Sequence, residues 1–182
     1  MILPITQYGN PILRVRCKPV TEVTEELQAL AGDMIETMID ANGVGLAAPQ
    51  VGIDLRMAVV DVSHDPECIS YLRVNGQDAA LADIMPLVFL NPDLELLGPK
   101  EGMEEGCLSI EDIRASVSRK TEVKGRFELL DGQVLEIETD GLLARAIQHE
   151  VDHLNGILFV DRLSAGAKLG VRGKLKRLVR EG

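Results

Sequence analysis

The strand-forming segments of this chain follow one another without helices between them, and that order limits the fold more than any other feature. "RMAVVDV" at 56–62 and "PLVFLNP" at 86–92 are short apolar runs closed by turn residues. "SVSRKTEVKGRFELLDGQVLEIET", residues 116–139, alternates as an antiparallel meander, with Asp131-Gly132 suited to a hairpin turn. The clear helices flank this block. "TEELQALAGDMIETMIDANG" opens on Thr24 as N-cap, with Glu25 and Glu26 at the positive end of the dipole. Leu27, Leu30, Ala31, Met34, Ile35, Met38 and Ile39 then recur at helical spacing until Asn42-Gly43. A second helix runs from about Leu142 to Leu154. No βαβ units alternate along the chain, so the order predicts an α+β fold. Residues 63–85 are mixed and polar and read as a surface excursion of no assigned purpose.

The 182 residues suffice for one core, and 46% hydrophobic with 26% charged content is ordinary for a globular protein. Without Trp and with only 3% aromatics, aliphatic side chains and Met must fill the interior. No apolar run approaches the roughly 20 residues that cross a bilayer. "MILPITQYGN" lacks the basic and apolar regions of a signal peptide. Cys17, Cys68 and Cys107 are too few, and odd in number, for a disulfide framework, which points to a reducing cytoplasm. A net charge of −10 argues against general binding of DNA or RNA. The last 19 residues depart from that balance: Lys168, Arg172, Lys174, Lys176, Arg177 and Arg180 stand against Glu181 alone. Without them 13 basic and 28 acidic residues remain, a net of −15. The expected organisation is therefore a catalytic domain over 1–163 and a basic, helix-capable tail over 164–182, with Leu175, Leu178 and Val179 as its apolar stripe.

The chemistry centres on "QHEVDH" at 148–153. Residues four apart on a helix project from one face, so His149 and His153 can aim at one cation. Glu150 can reach a water at that cation without binding it, which is the mechanical content of H-E-x-x-H. A catalytic site of this type takes a third protein ligand. No histidine follows His153, so a distant glutamate or Cys107 in "EEGCLSI" must serve. His64 and Cys68 share the spacing of four but sit in the excursion and read as incidental. In "NGVGLAAPQVG" small residues open the backbone to close approach, and Gln50 offers a neutral amide donor. No G-K-[ST] follows, so this is not a phosphate loop. A zinc peptidase sharing the motif and a metal-stabilised scaffold are the rival readings.

Taken together, "GVGLAAPQ" at 43–50, "EGCLS" at 105–109 and "QHEVDH" at 148–153 resemble the three motifs of the peptide deformylase family, in the same order. "YGNPILR" at 8–14 and "HLNGILFVDRLS" at 153–164 extend the resemblance over residues 4–164. It implies removal of the formyl group from N-terminal formyl-methionine of new polypeptides, and antiparallel sheets around a central motif helix. It implies Cys107, His149 and His153 as ligands of one divalent metal, Fe²⁺ in the cell with Zn²⁺, Ni²⁺ or Co²⁺ as substitutes. Glu150 would be the general acid and base, and Gln50 with the Leu108 N–H would bind the formyl oxygen. Val44, Gly45, Gly106 and Arg114 would contact the peptide, and the basic tail would dock on the ribosome. In "CLSIEDIR" this chain carries Glu111 where the family pattern often has proline, a change at the mouth of the substrate channel.

Overall fold

The computed structural model describes residues 1–181. Helix α1 (Glu25–Asp40) begins as the sequence predicts, with the Thr24 side chain accepting from the Leu27 N–H at 3.1 Å. It ends where Asn42 adopts the left-handed region at φ 56°, so Asn42 rather than Gly43 makes the turn. Its buried face includes Leu27, Ala31, Met34 and Met38. Ile39 is 62% exposed instead of buried, and Thr37 takes the inner position. The Thr37 hydroxyl is satisfied there, donating to the Asp33 carbonyl at 2.6 Å and accepting from the Leu3 N–H at 2.9 Å.

Seven strands then form one antiparallel sheet. They are β1 (Gly45–Ala47), β2 (Met57–Val60), β3 (Leu72–Val74), β4 (Gln77–Asp78), β5 (Leu87–Cys107), β6 (Ile110–Glu128) and β7 (Val134–Asp140). Their order across the sheet is β1-β2-β5-β6-β7-β3-β4, which leaves β1 and β4 as the edges. A short helix α2 (Leu81–Ile84) separates β4 from β5. The expected sheets are thus hydrogen-bonded into one, and its backbone is the long β5–β6 ribbon. The sequence pattern hides the length of β5 because Pro92, Gly98 and Pro99 interrupt it. The ladder absorbs them as register shifts between Leu90 and Asp93 and between Leu97 and Lys100, with Gly98 at φ 76°. The β6–β7 hairpin turns at Asp131-Gly132 as expected, with Gly132 at φ 88° and the Asp131 carboxylate accepting from the Gln133 N–H at 2.9 Å.

The 63–85 segment is not wholly an excursion. Leu72–Val74 pairs with Thr139–Ile137 and extends the sheet, and Leu72 and Leu81 are buried in the main cluster. The motif helix, α3 (Gly141–Leu154), packs against β1, β2, β6 and β7, so the sheet surrounds it. Leu143, Ala144, Ile147 and Leu154 of α3 are fully buried beside Phe89 and Phe127, whose rings meet edge-on at 5.0 Å. Helix α4 (Ala165–Glu181) covers a separate cluster containing Leu13, Val117 and Phe159 with Val171, Leu175 and Leu178. The expected stripe differs in one member: Val179 is 54% exposed and Val171 packs instead. No helix among the described residues is long and apolar enough to cross a membrane.

Candidate metal centre

One turn of α3 separates His149 from His153, and their ring centroids lie 5.0 Å apart. Cys107 ends β5 at the tip of the ribbon, where Leu108 and Ser109 turn the chain into β6. The ribbon brings its sulfur to the helix: Cys107 Sγ is 3.3 Å from His153 Nε2. Donor atoms of Cys107, His149 and His153 all lie within 4.8 Å of one another, the single group of at least three such residues among those described. A tetrahedral ion with ordinary bond lengths would set sulfur and nitrogen about 3.6 Å apart. The three residues therefore fit a divalent metal. His64 and Cys68 take no part in the group.

Glu105 fixes the ring of His149. Its Oε1 lies 3.0 Å from His149 Nδ1, while Arg119 donates to both carboxylate oxygens at 2.6 and 2.9 Å and Arg145 donates at 2.7 Å. Burial alone would raise the Glu105 pKa, but the hydrogen bonds from His149 and Arg119 outweigh it and hold the carboxyl well below the usual range. A carboxylate can only accept, so the His149 proton sits on Nδ1 and Nε2 is left for a metal. Arg119 also donates to Asp152 at 2.9 Å, and Asp152 accepts two bonds from Arg162 at 2.6 and 2.7 Å. None of these five charged residues was singled out from sequence. The signal was present in parity: Arg119 stands two residues after the buried Val117 on one strand, and Arg145 lies amid buried residues of α3.

Glu150 is 4% exposed and rests against Gly45, where an added Cβ would overlap its carboxylate. Burial pushes its pKa up to about 7. Among the described residues only two buried side-chain polar atoms lack a hydrogen-bond partner, Glu150 Oε1 and His153 Nδ1, and both belong to this site. Gln50 is buried with its amide oriented by its surroundings. Its Oε1 accepts from the Ala47 N–H at 3.0 Å, which turns Nε2 toward Ser109 Oγ at 3.1 Å and Cys107 Sγ at 3.6 Å. Leu108 lines the same cleft, and its carbonyl accepts from Gln7 at 3.1 Å. The cleft, about 1120 Å³, is lined by Val44, Gly45, Gly106 and Arg114 among others. Arg114 folds across Gly106, where a Cβ would come 2.9 Å from its guanidinium, and pairs with Glu104 at 2.8 Å. The residues singled out in the three motifs line this cleft except His153, which adjoins it through Cys107.

A Cys/His/His donor set joining a ribbon tip to an HExxH helix, with a buried carboxylate beside it and an extended cleft leading to it, defines a metal-dependent hydrolase acting on amide bonds. The Polypeptide deformylase family profile matches residues 2–168. A peptide deformylase of Acidobacterium capsulatum is 41% identical over 182 residues, covering 100% of this chain and 98% of that protein. One from Acinetobacter baumannii is 44% identical over 181 residues, covering 99% and 93%. The crystal structure of a peptide deformylase from Legionella pneumophila superposes with a TM-score of 0.81 at 37% identity, covering 99% of this chain and 96% of that one. The chain belongs to the polypeptide deformylase family. Its activity is removal of the N-formyl group from nascent polypeptides.

Proposed function

We propose that Cys107, His149 and His153 hold one divalent ion, that Glu150 moves the protons, and that Gln50 with the Leu108 N–H receives the formyl oxygen. The observation carrying this reading is Glu150, a buried carboxylate with one oxygen unpartnered, lying against Gly45 beside the three donors. The ion, Fe²⁺ in the cell with Zn²⁺, Ni²⁺ or Co²⁺ able to replace it, supplies Lewis acidity that makes water a nucleophile near neutral pH. Glu150 takes a proton at Oε1 from the attacking water and hands it to the leaving amine nitrogen, after which formate departs. Gln50 Nε2 donates as charge grows on the formyl oxygen, and its orientation is prepaid by the Ala47 N–H. The substrate backbone adds to the free edge of β1 at Val44 and Gly45, and Gly106 and Arg114, which line the same cleft, contact the peptide as well.

Residues 1–163 act as the catalytic domain of a cytoplasmic enzyme, and 164–182 as a ribosome-docking appendage. Support for docking comes from α4, which turns Val171, Leu175 and Leu178 inward and keeps Lys168, Arg172, Lys174 and Lys176 exposed. Replacing those four cations by Gln should weaken ribosome association with a reduced salt dependence, while small-peptide turnover stays intact. The central test is formate release from formyl-Met-Ala-Ser by protein of measured metal content. Glu150→Gln should keep its metal and lose about 10²- to 10⁴-fold in turnover. Wild-type turnover by that variant would refute the assignment.

A further inference from the structure

A second concavity, of about 510 Å³, lies on another face of α3 and shares no residue with the substrate cleft. Gln148, Val151, Asp152 and Asn155 form its helical wall, whereas Arg145, His149 and Glu150 line the cleft. Deformylation gives this hollow no task. Although the chain carries −10 overall, six cations line it against Asp93 and Asp152. Asp152 is taken up by Arg119 and Arg162. Arg16, Arg56, Lys100 and Lys120 pair with no carboxylate among the described residues. Two like-charge contacts meet here, and folding alone accounts for neither. Lys100 and Lys120 stand directly opposite on β5 and β6, an arrangement that weakens a ladder. Arg56 is half-buried and held in place, its Nη1 donating to the Leu154 carbonyl at 3.1 Å and to Asn155 Oδ1 at 3.0 Å. Burial, and then the charge of Arg16, pull its pKa below the ordinary value. Cations crowded into a concavity are relieved by an anion.

We infer that this hollow binds a small diphosphate ester, its phosphates among Arg16, Arg56, Lys100 and Lys120 and its apolar part on Leu94 and Leu96. Four cations call for at least two negative charges, and the arginine fork matches phosphate oxygens. Leu94 and Leu96 also line the hollow, and Leu96 is 47% exposed, a surface that suits an apolar group carried by the anion. The volume falls within the roughly 300–1,000 Å³ of small-ligand sites. Long polyanions are disfavoured, because the surrounding residues 1–163, at a net −15, repel flanking phosphates.

The test titrates ADP, adenosine, inorganic phosphate and a 20-nucleotide RNA into the metal-loaded enzyme by calorimetry at 100 mM NaCl. One charge contact at about 4 Å contributes about threefold at that salt, so Lys100→Gln/Lys120→Gln should weaken ADP about tenfold. Relieving the opposed pair should also raise the ligand-free Tm by about 1–2 °C. An ion at Cys107, His149 and His153 can itself take phosphate, so the loss in the variant is what assigns binding to the hollow. ADP bound one to one, tighter than phosphate or adenosine and about tenfold weaker in the variant, supports the proposal. No ADP binding, or equal binding by the variant, would overturn it. A ligand-free Tm that falls in the variant would refute the repulsion on which the inference stands. RNA bound more tightly than ADP, and weakened equally by the variant, would overturn the choice of a small ligand.

Discussion

Replacing Gly45 by alanine should disable the enzyme while leaving it folded. A Cβ at Gly45 would stand 2.8 Å from Glu150 Cδ and 3.0 Å from Cγ, and would overlap Oε2. Ordinary van der Waals contact for a Cβ begins at 3.4 Å, so Cδ must retreat by at least 0.6 Å, the difference between 3.4 and 2.8 Å, and the oxygen by more. The strand cannot yield easily, because Gly45, Leu46 and Ala47 pair in register with Val60, Val59 and Ala58. The carboxylate therefore moves away from the position that the proposed proton transfer requires. Displacements near 1 Å at a reacting group cost about 10²-fold in rate, or about 2.7 kcal/mol of barrier. Overpacking of this kind also removes about 1–3 kcal/mol of stability. The assay is kcat on formyl-Met-Ala-Ser, with metal content and Tm measured on the same sample. Gly32→Ala is the contrast, since its added Cβ meets nothing within 4 Å on an exposed position of α1. It should raise stability by about 0.5–1 kcal/mol without altering kcat. A Gly45→Ala enzyme that keeps its metal and works within threefold of wild type would refute the reasoning.

Arg119→Met leaves Glu105 and Asp152 buried with fewer donors, and should cost about 3–5 kcal/mol in urea unfolding of the metal-loaded protein. Because Glu105 orients His149, the same variant should bind Co²⁺ about 10- to 100-fold more weakly in a chelator competition; unchanged affinity would detach the ion network from the metal site. Gln50→Ala should lower kcat by about 10²- to 10³-fold with little change in KM, and a loss confined to KM would mean that the amide binds substrate and transition state alike.

What was legible in the sequence was local. The His149–His153 spacing needs only a helix to acquire meaning, the Thr24 cap needs three residues, and the Asp131-Gly132 turn needs four. What was hidden depends on partners far along the chain. A glutamate such as Glu105 reads as surface until Arg145 is known to reach it from 40 residues away, and Arg119 and Asp152 meet across 33. The strand at Leu72–Val74 was hidden because only Leu72 of the three is buried, too little to set an alternation. Ile39 sits on a correct helical repeat but faces solvent, because the satisfied hydroxyl of Thr37 fills the interior position. The stripe of the last helix was misjudged in one member because tertiary packing decides between valines of equal polarity, as with Val171 and Val179.

The sulfur sits at the tip of a two-stranded arm, whereas both imidazoles ride on a helix, 46 residues later at the second of them. Chelation would thus add a clasp at the very end of the arm, beyond the Glu105–Arg145 and Arg119–Asp152 bonds that already tie it to the helix. Stripping the ion with a chelator should loosen Glu104–Ile110 first, visible as faster amide hydrogen exchange there, while the helix keeps its protection from the apolar packing on its other sides.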